Sequence, residues 1–304
     1  MKRLSLTRRK ARTGFCFCLP FLIGFVCFFL GPVIQSVVYA FSSFRLVPGG
    51  MEKTFVGLEN FRRAFMVDLD YVPALLSSLT SMPVQLIFIL IFSFFIANVL
   101  NQKFHGRALM RAIFFLPVII TSGVLYQLQT GNQLLGMANT TLNSTPDMYT
   151  DALNLSESLG DMLYTYFQFG PQFFEYIQLA VSQIYFITIS SGVQILIFLA
   201  GLQTISPSVY EAAAIEGATG WESFWKITFP MMSPMILVGA VYTVIDILGG
   251  PSNGIMARCF TLAFPKMEFG FSLAMMWFYL VIIFAVLAIV GGIVSRFVYY
   301  EERT

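Results

Sequence analysis

Six long apolar runs limit what this chain can become. A helix that crosses a membrane needs about 20 mainly apolar residues at 1.5 Å rise per residue. Segments 15–41, 74–100, 109–130, 182–204, 232–248 and 271–298 meet or approach that length, the fifth being the shortest. Only 11% of the 304 residues are charged and 57% are hydrophobic, whereas soluble domains carry about 25% charged residues. The expected class is therefore all-α and polytopic, with six transmembrane helices. Pro20, Pro32, Pro83, Pro117 and Pro234 fall in or beside these runs. In lipid such breaks are tolerated where neighbouring helices or waters satisfy the freed backbone groups.

Basic residues set the expected orientation. The first twelve residues, MKRLSLTRRKAR, hold six basic residues and no acid, which predicts a cytoplasmic N-terminus. Lys103, Arg107 and Arg111 lie between the second and third runs and face the same side on this reading. The stretch 131–178 has five acids and no Lys or Arg, and reads as external. The first connector is mixed: Arg45, Lys53, Arg62 and Arg63 oppose an external placement, while four acids suit a folded external segment. The expected layout is a basic cytoplasmic segment 1–14, a first helix 15–41, an external connector 42–73 and a core 74–298. That core includes an external insertion 131–178 and a cytoplasmic loop 205–231, and a cytoplasmic tail 299–304 follows. The first apolar run is about twice the length of a usual signal-peptide h-region, so we read a retained helix despite the Val38-Tyr39-Ala40 pattern.

Catalytic and metal chemistry find little support. There are four cysteines and one histidine, His105. Cys16, Cys18, Cys27 and Cys259 have no structural-zinc spacing, and neither a disulfide framework nor a cofactor is expected. HExxH, GxSxG and paired intramembrane aspartates are missing, which disfavours an intramembrane enzyme. No nucleic-acid partner is expected. The three sequons, at Asn139, Asn143 and Asn154, carry no argument in a polar loop. No internal repeat relates the two halves, so one chain reads as part of a pore whose remainder a second subunit supplies.

The segment EAAAIEGATGWESFWKITFPMMSP, from Glu211 to Pro234, stands out between two apolar runs. Three alanines favour a helix, and Ser206-Pro207 gives it a start. Tyr210, Ala213, Ala214 and Gly217 then share a small face suited to close docking. Gly217 and Gly220 permit a turn. Trp221, Phe224 and Trp225 read as anchors at the membrane surface. Glu211-Ala212-Ala213 with Gly217, Ile227 and Pro230 resembles the EAA signature of the permeases of binding-protein-dependent ABC importers. The full segment is similar to the carbohydrate-uptake branch, of the maltose and glycerol-phosphate type. Glu216 departs from the Asp usual there and keeps its charge. FVGLENFRRAF (55–65), HGRALMRAIFFLPVIITSGVLYQL (105–128), ILIFLAGLQTISPSVYEAA (195–213) and VYTVIDILGGPSNGIM (241–256) extend the resemblance along nearly the whole chain. Two local departures are a short gap between Asp246 and Gly249-Gly250-Pro251 and a long external stretch 131–178.

The resemblance implies a type I importer (MetI-like) permease fold. It makes the EAA segment a coupling helix docked on a cytoplasmic ATPase, with Glu211, Ala212, Ala213, Glu216 and Gly217 as its residues. The chain has no GxxxxGK[ST] P-loop, so ATP hydrolysis falls to a partner ATPase dimer. A second homologous permease, an extracytoplasmic solute-binding protein, a carbohydrate substrate and membrane lipid complete the expected partners. Polar residues inside spans are costly and often functional. Asp246, Tyr242, Gln194, Gln127 and Gln85 are the candidates for the substrate path, with helix pairing the alternative for Asp246. The competing reading is a secondary transporter or channel driven by an ion gradient.

Overall fold

The computed structural model describes residues 6–47, 50–102, 105–106, 109–114, 176, 180, 183–184, 186–250, 253–264 and 266–298. The expected third run beyond residue 114, the tail 299–304 and, apart from Tyr176, the insertion 131–178 lie outside them. The chain divides into two compact units, Met1–Leu75 with Ile255–Ile282, and Leu76–Gly254 with Ile283–Thr304.

In the first unit, α1 (Leu6–Gly24) passes through a π-helical turn, Phe25–Leu30, into α2 (Gly31–Ala40). The wide turn has a local cause. Pro32 lacks an N–H and its ring would press on the carbonyl four residues back. Widening the preceding turn moves that carbonyl away, and the Gly31 amide donates to Val26 O instead. After α2 the connector departs from the all-α expectation. It forms an antiparallel hairpin of β1 (Ser42–Val47) and β2 (Gly50–Phe55), in register from Ser42↔Phe55 to Val47↔Gly50. Buried Asn60 on α3 (Glu59–Met66) holds the hairpin base, its Nδ2 donating to Ala40 O at 2.8 Å and Ser42 O at 3.0 Å.

Asp68 starts the next helix, α4 (Tyr71–Asn101). Its Oδ1 accepts from the amides of Asp70 and Tyr71. Both Asp68 oxygens also accept from Arg258 Nη2, at 2.7 and 2.8 Å, and Asp70 Oδ2 accepts from Arg258 Nη1 at 2.8 Å. Burial disfavours the Asp68 charge, but the guanidinium and the two amides outweigh it and hold its pKa below the ordinary carboxylate value. Near the start of α9 (Phe269–Ser295), Arg63 pairs with Glu268 at 3.1 Å. A Cβ on Gly270 would stand 1.8 Å from the Ser42 carbonyl oxygen, so only glycine fits there.

In the second unit, α5 (Gly192–Thr204) packs on α8 (Ser233–Gly249). The core joins Ala97 and Leu100 of α4 to Ile195, Phe198, Leu199 and Leu202 of α5. Gly201 receives Met232 and Met235, while Gly239 receives the Phe198 ring. Small residues allow such close helix approach in membranes, where burial alone supplies little drive.

Among the described residues, three helices are long and apolar enough to cross a membrane: Thr13–Ala40, Tyr71–Asn101 and Phe269–Ser295. Two bent pairs raise the number to five among the described residues. These are α5 with α6 (Pro207–Ile215), and α7 (Gly220–Met231) with α8, each bent by 63°. The expected boundaries of the second, fifth and sixth spans shift by at most three residues from these helices.

Gly270→Ala is expected to destabilise the chain by about 1–3 kcal/mol or more through overpacking. Gly291→Ala, with open space around it, should leave stability unchanged or slightly raised. Thermal unfolding in detergent compares them. Asp68→Asn should cost about 2 kcal/mol at neutral pH, since bonds to charged groups are lost. The Asp68 pKa is depressed on folding, so its contribution is complete above the unfolded value of about 4 and fades as pH falls below it. The gap between parent and variant melting temperatures should therefore narrow on acidification.

Candidate functional site

The EAA segment forms a compact two-helix device. Ser206 is the N-cap of α6, with Pro207 at the first position. Its hydroxyl shares a hydrogen bond with Ser208 Oγ at 2.8 Å instead of capping the helix backbone. The other end closes in a Schellman turn. Gly217 has φ +81°, its amide donates to Ala214 O, and the Ala218 amide donates to Ala213 O at 2.9 Å. A positive φ suits glycine because it has no Cβ.

Thr219 then caps α7. Its hydroxyl accepts from the Glu222 amide, and Glu222 Oε2 accepts from the Thr219 amide at 2.9 Å. The T-x-x-E spacing of such a capping box is readable in the sequence. Within α7, Phe224–Thr228 is a π-helical turn. It ends two residues before Pro230, as the first such turn ends two residues before Pro32. Tyr210 Oη and Thr228 Oγ1 share a hydrogen bond at 2.9 Å and tie α6 to α7.

This packing corrects the docking face. Ala213 is only 8% exposed and Tyr210 is engaged with Thr228, so that part of the small face turns inward. The outward residues are Glu211, Ala212, Ala214, Ile215, Glu216 and Gly217, with Ile215 87% exposed. Beside them a cleft of about 380 Å³ lies between the α6 end and α7, lined by Glu216, Gly217, Glu222 and Lys226 among others. The aromatic trio divides as well. Phe224 packs on Phe94 of α4, with ring centroids 5.7 Å apart, whereas Trp221 and Trp225 stay exposed.

The substrate-path candidates are partly brought together. Gln194 on α5 is fully buried, and its Nε2 donates to Thr243 Oγ1 on α8 at 3.1 Å. Its Oε1 has no hydrogen-bond partner among the described residues. Tyr242 and Asp246, four residues apart on α8, flank Thr243 and are half-buried. Thr243 was not singled out in the sequence, because a threonine in an apolar run can bond its own helix, as this one also does to Gly239 O. Gln85 is half-buried on α4 and no hydrogen bond joins it to this group among the described residues. Gln127 lies outside the described residues. Asn253 braces the segment after α8, its Nδ2 donating to Ser78 Oγ and Ile247 O.

No protein-family model matches the chain. Over 319 residues it is 30% identical to the probable ABC transporter permease protein YesP of Bacillus subtilis (strain 168), with 100% of this chain and 97% of that one covered. The chain belongs to the ABC transporter permeases. The permease is also 29% identical over 280 residues to the trehalose/maltose transport system permease protein MalF of Thermococcus litoralis, covering 88% of this chain and 87% of that one. Its fold matches a chain of the solved bacterial alginate ABC transporter in complex with alginate pentasaccharide-bound periplasmic protein. There the TM-score is 0.65 at 19% identity, over 97% of the permease and 98% of that chain.

Thr219→Ala is expected to loosen α7 by about 1 kcal/mol through loss of the cap. Limited proteolysis should then cut faster between Glu216 and Glu222, with melting of the whole chain little changed.

Proposed function

We propose that this permease is the membrane subunit of an ATP-driven importer that carries a carbohydrate, an oligosaccharide, into the cell. The observation that carries this reading is α6. It is a short helix bent 63° from the apolar α5, closed by a Schellman turn and presenting an outward surface around Glu211, Ile215 and Gly217. A helix that leaves the bilayer axis and is rigidly joined to two spans is suited to pass movement between an outside partner and those spans. The partner is an ATPase dimer, because the chain has no P-loop of its own. Ala213 positions α6 from within, while Glu211, Ala212, Glu216 and Gly217 meet the ATPase. The N- and C-termini lie on the same, cytoplasmic side in this reading.

Substrate reaches the permease from an extracytoplasmic binding protein and crosses between this chain and a second homologous permease by alternating access. Names of the relatives support the cargo class: one is a trehalose/maltose and another an arabinooligosaccharides transport system permease protein. Asp246, Tyr242, Gln194, Gln127 and Gln85 are assigned to the path. Carboxylate and amide groups supply acceptors and donors for sugar hydroxyls, and a tyrosine ring supplies a stacking face.

Gly217→Asp tests the reading. Gly217 has open space around it, so the variant should insert normally, yet its charge at the docking surface should abolish ATP-dependent uptake. Gly217→Asn tolerates a left-handed backbone without the charge and should retain most uptake. Normal transport by Gly217→Asp would remove α6 as the coupling element. Uptake by the chain alone, collapsed by an uncoupler, would favour the gradient-driven alternative.

A further inference from the structure

Helix α7 has two chemically different faces. Glu222, Ser223, Lys226 and Ile227 line the cleft shared with the end of α6. Trp221, Trp225 and Phe229 recur every four residues on another face. Their rings touch in sequence, with centroids 5.7 Å apart for the first pair and 5.3 Å for the second. Trp221 is 70% exposed and Trp225 48%. Three aromatic side chains exposed together are costly in water and need a cover.

Geometry identifies that cover. Helix α7 is about 18 Å long at 1.5 Å per residue. Bent 63° from α8, it advances only about 8 Å along the α8 axis. The headgroup layer is about 5–8 Å deep on each side of the hydrocarbon. An α8 that crosses the bilayer therefore leaves α7 within or against that layer for most of its length. The stripe is also continuous with an apolar surface of α4. Phe229 meets Phe94 with centroids 6.2 Å apart, and next to Phe94 the exposed Ile91 and Phe95 lie on the helix that crosses the membrane. Indole rings favour this layer, with their apolar body in lipid and their N–H in the wet headgroups.

We infer that Trp221, Trp225 and Phe229 form an anchor seated in the headgroup layer of the bilayer, with lipid as its partner, and that this anchor fixes the depth of α6. Through the Tyr210–Thr228 hydrogen bond the depth of α7 becomes the depth of the docking surface. The depth assignment rests on the coupling role proposed for α6; the lipid contact itself does not. One helix thus serves lipid on its aromatic face and the ATPase cleft on its polar face.

The chain has three tryptophans, so Trp277→Phe leaves Trp221 and Trp225 as the only fluorophores of their kind. The full chain is reconstituted into phosphatidylcholine vesicles with a minor share of phosphatidylglycerol. The lipid is brominated either close to the glycerol backbone or near the methyl end of the chains. Emission should fall by about half or more with shallow bromines, less with deep ones, and aqueous acrylamide should quench weakly. Trp277 donates to Ser36 Oγ, and its replacement could disturb folding. The difference between the parent chain and Trp221→Phe/Trp225→Phe then gives the same signal with Trp277 in place. Strong acrylamide quenching with no effect of bromines would overturn the anchor and leave the stripe to a protein partner. Stronger quenching by deep bromines would also overturn it, placing the rings in hydrocarbon. No ATPase is needed for this readout, so its failure is separable from failure of the coupling reading.

Discussion

Hydrocarbon offers no hydrogen bonds, so any backbone in it must satisfy itself as a helix or lie against protein. That constraint organises this permease. Long apolar helices carry the crossings, and the polar segment between α5 and α8 has to leave the span direction. It does so through two bends of 63°, one after α5 and one before α8. Between the bends, the Schellman turn at Gly217 and the capping box at Thr219 pair the amides and carbonyls at the ends of α6 and α7. The surface proposed for docking therefore follows from how the chain pairs its backbone where the membrane no longer allows it to run straight.

Much of the fold was legible because the apolar runs are long and end at physical stops. Pro234 opens α8, and Gly250 ends it with an amide bonded back to Asp246 O. The hairpin was not expected, since the connector was judged by its charges. Its Pro48-Gly49 pair between two short segments is a turn signal in the sequence. The π-helical turns were equally unseen. Both end two residues before a proline, Pro32, noted as a break, and Pro230, noted only as part of the EAA signature. Sequence shows that a proline disturbs a helix, but not whether the backbone kinks or widens.

At the candidate site the motif was legible and its orientation was not. Tyr210 and Ala213 do fall on one side of α6, but spacing cannot say which side meets the chain's own core, and Gly217, past the helix end, faces outward. The Tyr210–Thr228 bond across 18 residues decides it, and nothing local announces it. Arg258 was likewise invisible as a partner of Asp68, which lies 190 residues away. Within the spans, Gln194 was recognised by the cost of burying an amide. Its partner Thr243 became visible only when α5 and α8 were packed, where glycines 201 and 239 let the two helices approach.

The central claim is that this permease works as one half of a path driven by a separate ATPase through α6. Gentle purification of the tagged chain from its native membranes, with mass spectrometry of the proteins that accompany it, tests this most directly. The account predicts a P-loop ATPase and a second multi-span permease, with the ATPase lost and the permease retained when Gly217 is replaced by aspartate. A chain that emerges alone or as a homo-oligomer and transports without ATP would contradict it.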